Sequence, residues 1–93
     1  MILSLSLDNQ ALYRGLDVVV EAGKLNLRTP PDEAIAVIAR NLAAILVDPE
    51  EVVLTGSMAI WAYLSVFHAI HGRTRRIWYQ DGLGRRILVA AHG

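Results

Sequence analysis

The sequence predicts a small two-layer α/β domain in which two helices pack on one face of a mixed sheet. Three observations predict it. Apolar residues recur every second position in several short runs and every three or four positions in two longer ones. The order of these runs is strands, helix, strand, helix, strand, strand. Finally, 93 residues suffice for one core and are too few for two ordinary domains, so residues 1–93 form one unit.

Leu3, Leu5 and Leu7 alternate with Ser4 and Ser6, the pattern of a strand with leucines inward and serines outward. Ile2 falls on the serine face, and Asp8-Asn9-Gln10 supplies a turn. Leu12 to Gly15 is weakly patterned. Asp17 to Glu21 is a second strand built on Val18, Val19 and Val20, and Ala22-Gly23-Lys24 links it as a hairpin to Leu25-Asn26-Leu27. The first helix starts at Thr29-Pro30-Pro31-Asp32-Glu33: Thr29 is the cap, Pro30 fits the first helical position, and the two carboxylates suit the amide end. Ile35, Ile38, Leu42 and Ile45 are its expected buried stripe, with Arg40 and Asn41 outside. Asp48-Pro49-Glu50 leads into a strand over Glu51 to Thr55.

The second helix, within Met58 to Ile70, is apolar on nearly every side, so it is expected to be buried on both sides, one of them against another subunit. Ile77 to Tyr79 is a strand, Gln80-Asp81-Gly82-Leu83-Gly84 a turn, and Arg85 to Ala91 the last strand.

A hydrophobic fraction of 54% and a mean hydropathy of +0.37 are high for a chain this short and point to apolar surface covered by a partner copy. Without cysteine, neither disulfides nor thiolate metal sites are available. Met1 is followed by an alternating segment with no basic leader or small-residue cleavage site, and Met58 to Ile70 is too short to span a bilayer; a cytoplasmic location is expected. The net charge of zero hides an asymmetry. Residues 1–56 carry four basic and eight acidic side chains, whereas residues 57–93 carry five arginines against Asp81. That distribution suits a polyanionic ligand on one surface or head-to-tail assembly. It does not suit general binding of double-stranded DNA, for which no recognition helix is evident.

The candidate chemistry sits in the second half. His68 and His71, three apart on a helix, point roughly the same way and can ligate a metal or divide metal binding from proton transfer. Further ligands would come from Asp81 or His92, and the alternative is that the histidines are polar helix ends. Gly56 and Ser57 sit where a strand feeds a helix, a place where free amides hold phosphate; they equally make a tight turn and a cap. Arg73, Arg75, Arg76, Arg85 and Arg86 match phosphate oxygens through the guanidinium fork, or are solvated charges. Tyr79 beside the turn is positioned to stack on a base, whereas Trp61 belongs to the core.

Val53-Leu54-Thr55-Gly56, an apolar helix carrying His68 and His71, Tyr79, Asp81-Gly82-Leu83-Gly84 and a strand ending near His92 together resemble the small CRISPR-associated ring nucleases of type III systems. That family's pattern is a strand ending in Gly, an apolar helix with an Ala-His-x-x-His or Ala-His-Lys run, and a strand ending in Tyr or Phe followed by Asp-Pro-x-Leu-Gly. The resemblance covers about residues 51–93. It implies a compact α/β domain of ferredoxin-like character that dimerises, assembles further around cyclic tetra-adenylate and cleaves it with Mn2+ assistance. Carried over by position, it gives His71, and His68 with it, a place at the metal or the scissile phosphate; Asp81, one place past the family's carboxylate, is the remaining catalytic candidate and the metal ligand beside His71, and Gly56, Ser57, Tyr79, Arg73 and Arg85 are the candidate ligand-binding residues. Two positions depart: Gln80 stands where the family has its carboxylate, and Gly82 where it often has a basic residue. Two other functions follow from the same features. One is a sensor that binds the cyclic nucleotide without cutting it, favoured by Gln80. The other is a self-assembling structural protein with no nucleotide at all.

Overall fold

The computed structural model describes residues 1–92. Its elements are β1 (Ile2–Ser4), β2 (Val18–Glu21), β3 (Lys24–Leu27), α1 (Pro31–Ile45), β4 (Glu51–Thr55), α2 (Ile60–His71), β5 (Arg76–Gln80) and β6 (Arg86–Ala91). A four-stranded mixed sheet runs β1-β4-β5-β6, and β2-β3 is a separate two-stranded hairpin. β1 and β5 each pair parallel with β4, while β6 returns antiparallel to β5. The two helices are the parallel crossovers this order requires. The result is a small α/β domain with two helices against a mixed sheet, consistent with a ferredoxin-like two-layer sandwich.

Alternation decides which side of each strand is dry. Leu3 and Leu5, Val52 and Leu54, and Ile77 are buried on the helix side. Ala34, Ile38, Leu42 and Leu46 meet them from α1, and Ala62, Val66 and Ile70 from α2. Each fully buried aliphatic side chain contributes roughly 1.5–3 kcal/mol of transfer free energy. On the opposite sheet face, the Glu51 carboxylate accepts hydrogen bonds from the Trp78 indole at 3.0 Å and from Arg76 Nε at 3.0 Å. The indole N–H first, then the guanidinium, hold the Glu51 carboxyl below its ordinary range.

The segment before β2, weakly patterned in sequence, belongs to the core. Leu12 is fully buried and Tyr13 nearly so, with the Tyr13 hydroxyl donating to the Leu5 carbonyl. Burial, with a smaller contribution from Tyr63, pushes the Tyr13 phenol up to about 12. Asn41 is likewise buried, contrary to its expected outward position: its amide donates to the carbonyls of Leu12 at 2.8 Å and Arg14 at 2.9 Å. The dry stripe of α1 is accordingly rotated toward Ala34, Ile38 and Asn41-Leu42, leaving Ile35 exposed and Ile45 only half-buried.

Other expectations are corrected at the helix starts. α1 begins at Pro31 with Pro30 as its cap residue, and the Thr29 hydroxyl instead accepts the Asp17 amide at 2.9 Å, fastening β2 to the helix entry. α2 begins at Ile60, capped in position by Ala59 with no side-chain hydrogen bond, so Ser57 is not its cap. Within one chain α2 is buried along one stripe, Ala62, Val66 and Ile70 at every fourth residue, while Ile60 and Leu64 are 78% and 65% exposed. No helix among the described residues is long and apolar enough to cross a membrane.

Candidate functional site

Parallel pairing brings the C-terminal ends of β1, β4 and β5 to one edge of the domain, where open α/β sheets form crevices. Such a crevice, of about 330 Å³, is lined by Thr55, Gly56, Ser57, Tyr79, Gln80 and Gly82. Gly56 adopts φ +101°, and a Cβ there would lie 2.7 Å from Ser6 Oγ, 2.8 Å from Ser4 Oγ and 2.9 Å from the Ser6 backbone nitrogen. Only glycine fits that approach without displacing the neighbouring backbone. The Ser57 amide donates to Ser6 Oγ at 3.0 Å, and the Tyr63 hydroxyl donates to the Gly56 carbonyl. Thr55 Oγ1 donates to the Gln80 carbonyl at 3.0 Å, joining the two strand ends. Tyr79 meets Tyr63 edge to face with ring centroids 5.5 Å apart, which fixes its ring beside the crevice.

Asp81 closes the β5–β6 turn. Its Oδ1 accepts the amides of Leu83 at 2.9 Å and Arg85 at 3.0 Å, and its Oδ2 accepts Arg85 Nε at 2.7 Å. The Arg85 amide first, then its guanidinium, hold the carboxyl below the usual aspartate range. Gly84, at φ +82°, completes the turn through its amide on the Asp81 carbonyl. Gln80 accepts Arg86 Nε at 2.9 Å.

The histidines stand elsewhere. α2 ends at His71, next to the start of β5, and the His92 amide is tied to the Arg75 carbonyl at 2.7 Å. There His71 Nε2 and His92 Nε2 lie 3.1 Å apart, and Phe67 covers His71 with ring centroids at 5.1 Å. His68 and Arg73 are exposed at this same end.

The expected site is therefore divided within one chain. Gly56, Ser57, Tyr79, Asp81 and Arg85 gather at the C-terminal end of β5; His68, His71 and Arg73 gather at its N-terminal end. Six residues of extended chain from Arg75 to Asp81 span about 20 Å, far beyond two bonds to one ion. His71 and Asp81 consequently do not form a metal site in a single chain, and the Asp81 oxygens are already engaged with their own turn. The residues expected to hold Mn2+ do not fit it as one chain presents them. Among the described residues, no group of three or more histidine or carboxylate side chains converges as ligands.

The arginines are also more committed than their sequence suggests. Arg75 pairs with Glu50 at 3.6 Å, Arg76 with Glu51 at 3.0 Å and Arg85 with Asp81 at 2.7 Å, all on the surface where such pairs contribute little to stability. Sequence reasoning missed one participant, the serine collar of Ser4 and Ser6 around Gly56, whereas His92, one of the two further ligands it offered, does stand beside His71. The Ser-x-Ser alternation was visible, but only the parallel β1-β4 pairing shows what it faces. No family model matches this chain, and no curated protein or solved structure matches it either.

Proposed function

We propose that this protein is a ring nuclease, a phosphodiesterase cleaving cyclic tetra-adenylate in type III CRISPR signalling. The observation that supports this reading most is the crevice at the ends of β4 and β5, where Gly56 and Tyr79, drawn from the resemblance, converge with Ser57 and no side chain stands at residue 56. A glycine turn admits close approach of a phosphate, the Tyr79 ring offers a surface for a base, and Arg85, held by Asp81, faces the same end as a cation.

RNA supplies its own nucleophile. The 2′-oxygen attacks the adjacent phosphorus, the bond to the 5′-oxygen breaks, and the products are a 2′,3′-cyclic phosphate and a free 5′-hydroxyl. The protein then has to align the phosphate, accept the proton of the 2′-hydroxyl and return one to the leaving oxygen. His71 is the candidate for proton transfer. Because it lies at the far end of β5 from the crevice, a chain cannot present both to one phosphate, and a second copy has to bring its histidine end to the crevice end of the first. The charge asymmetry between residues 1–56 and 57–93 and the exposed apolar residues of α2 suit such self-association into a dimer or higher homo-oligomer.

One observation favours the sensor as second reading. Gln80 occupies the position of the family carboxylate, and Asp81, one residue on, spends its carboxylate on its own turn. Purified protein incubated with cyclic tetra-adenylate separates the two: linear products support the nuclease, binding without products supports the sensor, and neither leaves only the self-assembling structural protein.

A further inference from the structure

We infer that His71 and His92 form a two-imidazole site for a borderline divalent transition ion, Zn2+ or Ni2+. The two Nε2 atoms lie 3.1 Å apart. Two metal–nitrogen bonds of about 2.0–2.1 Å, adjacent on a tetrahedral or octahedral ion, place their nitrogens about 2.9–3.4 Å apart. The pair already has that spacing, and an ion between the two nitrogens would take the place of their hydrogen bond.

The fold brings the two residues together, and the imidazole of His92 meets that of His71 directly. His71 occupies the last turn of α2 with the Phe67 ring against it, and His92 follows β6 with its amide fixed to the Arg75 carbonyl. The ligands come from a helix and a strand, 21 residues apart, so the site depends on the tertiary fold. His71 is half-buried and His92 exposed, which leaves the remaining coordination positions to water. The neighbouring Arg75 is paired with Glu50, which reduces the repulsion a second cation meets there.

Ligand type selects the ion. Imidazole nitrogen suits Zn2+, Ni2+ and Cu2+, whereas Mn2+ favours carboxylate and water oxygens and stands lowest in the divalent affinity order. This site therefore takes His92, one of the two further ligands the sequence offered, in place of Asp81. It goes beyond the nuclease reading and is measured without nucleotide; an ion bound there competes with the proton-transfer role given to His71.

The test is titration calorimetry of tag-free protein comprising residues 1–93 with ZnCl2, NiCl2 and MnCl2, repeated on His71→Gln, His92→Gln and His68→Gln. The expected result is binding of Zn2+ and Ni2+ at least tenfold tighter than Mn2+, weakened at least tenfold by His71→Gln and by His92→Gln, and unchanged by His68→Gln. Circular dichroism of each variant confirms that the fold persists. Absence of Zn2+ and Ni2+ binding overturns the inference and leaves the pair a hydrogen bond only. Zn2+ and Ni2+ binding that survives both substitutions, that depends on His68, or that is no tighter than that of Mn2+ overturns it equally.

Discussion

The hydroxyl of Ser6 accepts the backbone amide of Ser57 at 3.0 Å, a contact between residues 51 apart in the chain that ties the exit of β1 to the turn after β4. Ser4 and Ser6 thereby form a collar against Gly56. Gly56→Ala has to fit a methyl group into that collar at a φ that L-residues rarely adopt. It is expected to cost about 2–4 kcal/mol in urea denaturation. Ser6→Ala keeps the space and loses one hydrogen bond, an effect of about 1 kcal/mol. Equal stability of Gly56→Ala and wild type would contradict the collar.

Asn41 fastens α1 to the loop before β2 through two carbonyls. Asn41→Ala leaves both acceptors without their partner in a buried place and is expected to destabilise by about 2–3 kcal/mol. In a domain of this size that lowers Tm by roughly 10–20 °C. Calorimetric melting measures it, and a shift below a few degrees would show that water replaces the amide.

Asp81 has a lowered pKa because the folded turn stabilises its anion. The sign follows from linkage: its contribution is fully present above the ordinary aspartate pKa and is lost as pH falls through the lowered folded value. Amide hydrogen exchange at Leu83 and Arg85, corrected for intrinsic rate, should speed up over that acidic window. Asp81→Asn keeps an oxygen acceptor but no charge, so the turn should persist without this pH dependence, whereas Asp81→Ala should open it at all pH values.

The proposed self-association rests on exposed apolar groups of α2 and β6. Leu64 and Val89 are 65% and 53% exposed and line a common apolar recess of about 180 Å³ with Phe67 and Tyr79. Light scattering should find wild type at the mass of two or more chains. Substituting Lys at both positions should shift it toward one chain, with a folding cost under about 1 kcal/mol because both sites are exposed. A wild type that is one chain at tens of micromolar would contradict this.

Much of the fold was legible because short-range patterns carried it. The strands around Val18, Val52, Ile77 and Leu88, the turn at Asp81 and the presence of α2, though not its start, follow from period and punctuation. Long-range pairing was not legible. Nothing in the local pattern of Leu12 and Tyr13 shows that they fill the core, nor that Asn41 turns inward to satisfy Leu12 and Arg14. The candidate site shows the same division: Gly56, Ser57 and Tyr79 were readable as neighbours of strand ends. The placing of His71 beside His92, about one strand length from Asp81, depends on where α2 and β6 finish.

The most direct measurement is the fate of cyclic tetra-adenylate incubated with the purified wild type, His71→Ala and Gly56→Ala, followed by chromatography of the nucleotide and light scattering of the protein. The account predicts linear products with a 2′,3′-cyclic phosphate end, formed by an assembly of two or more chains. It predicts a loss of at least a hundredfold in rate in His71→Ala, within the usual contribution of a proton-transferring side chain. Intact cyclic nucleotide after prolonged incubation with folded, assembled wild type would contradict it.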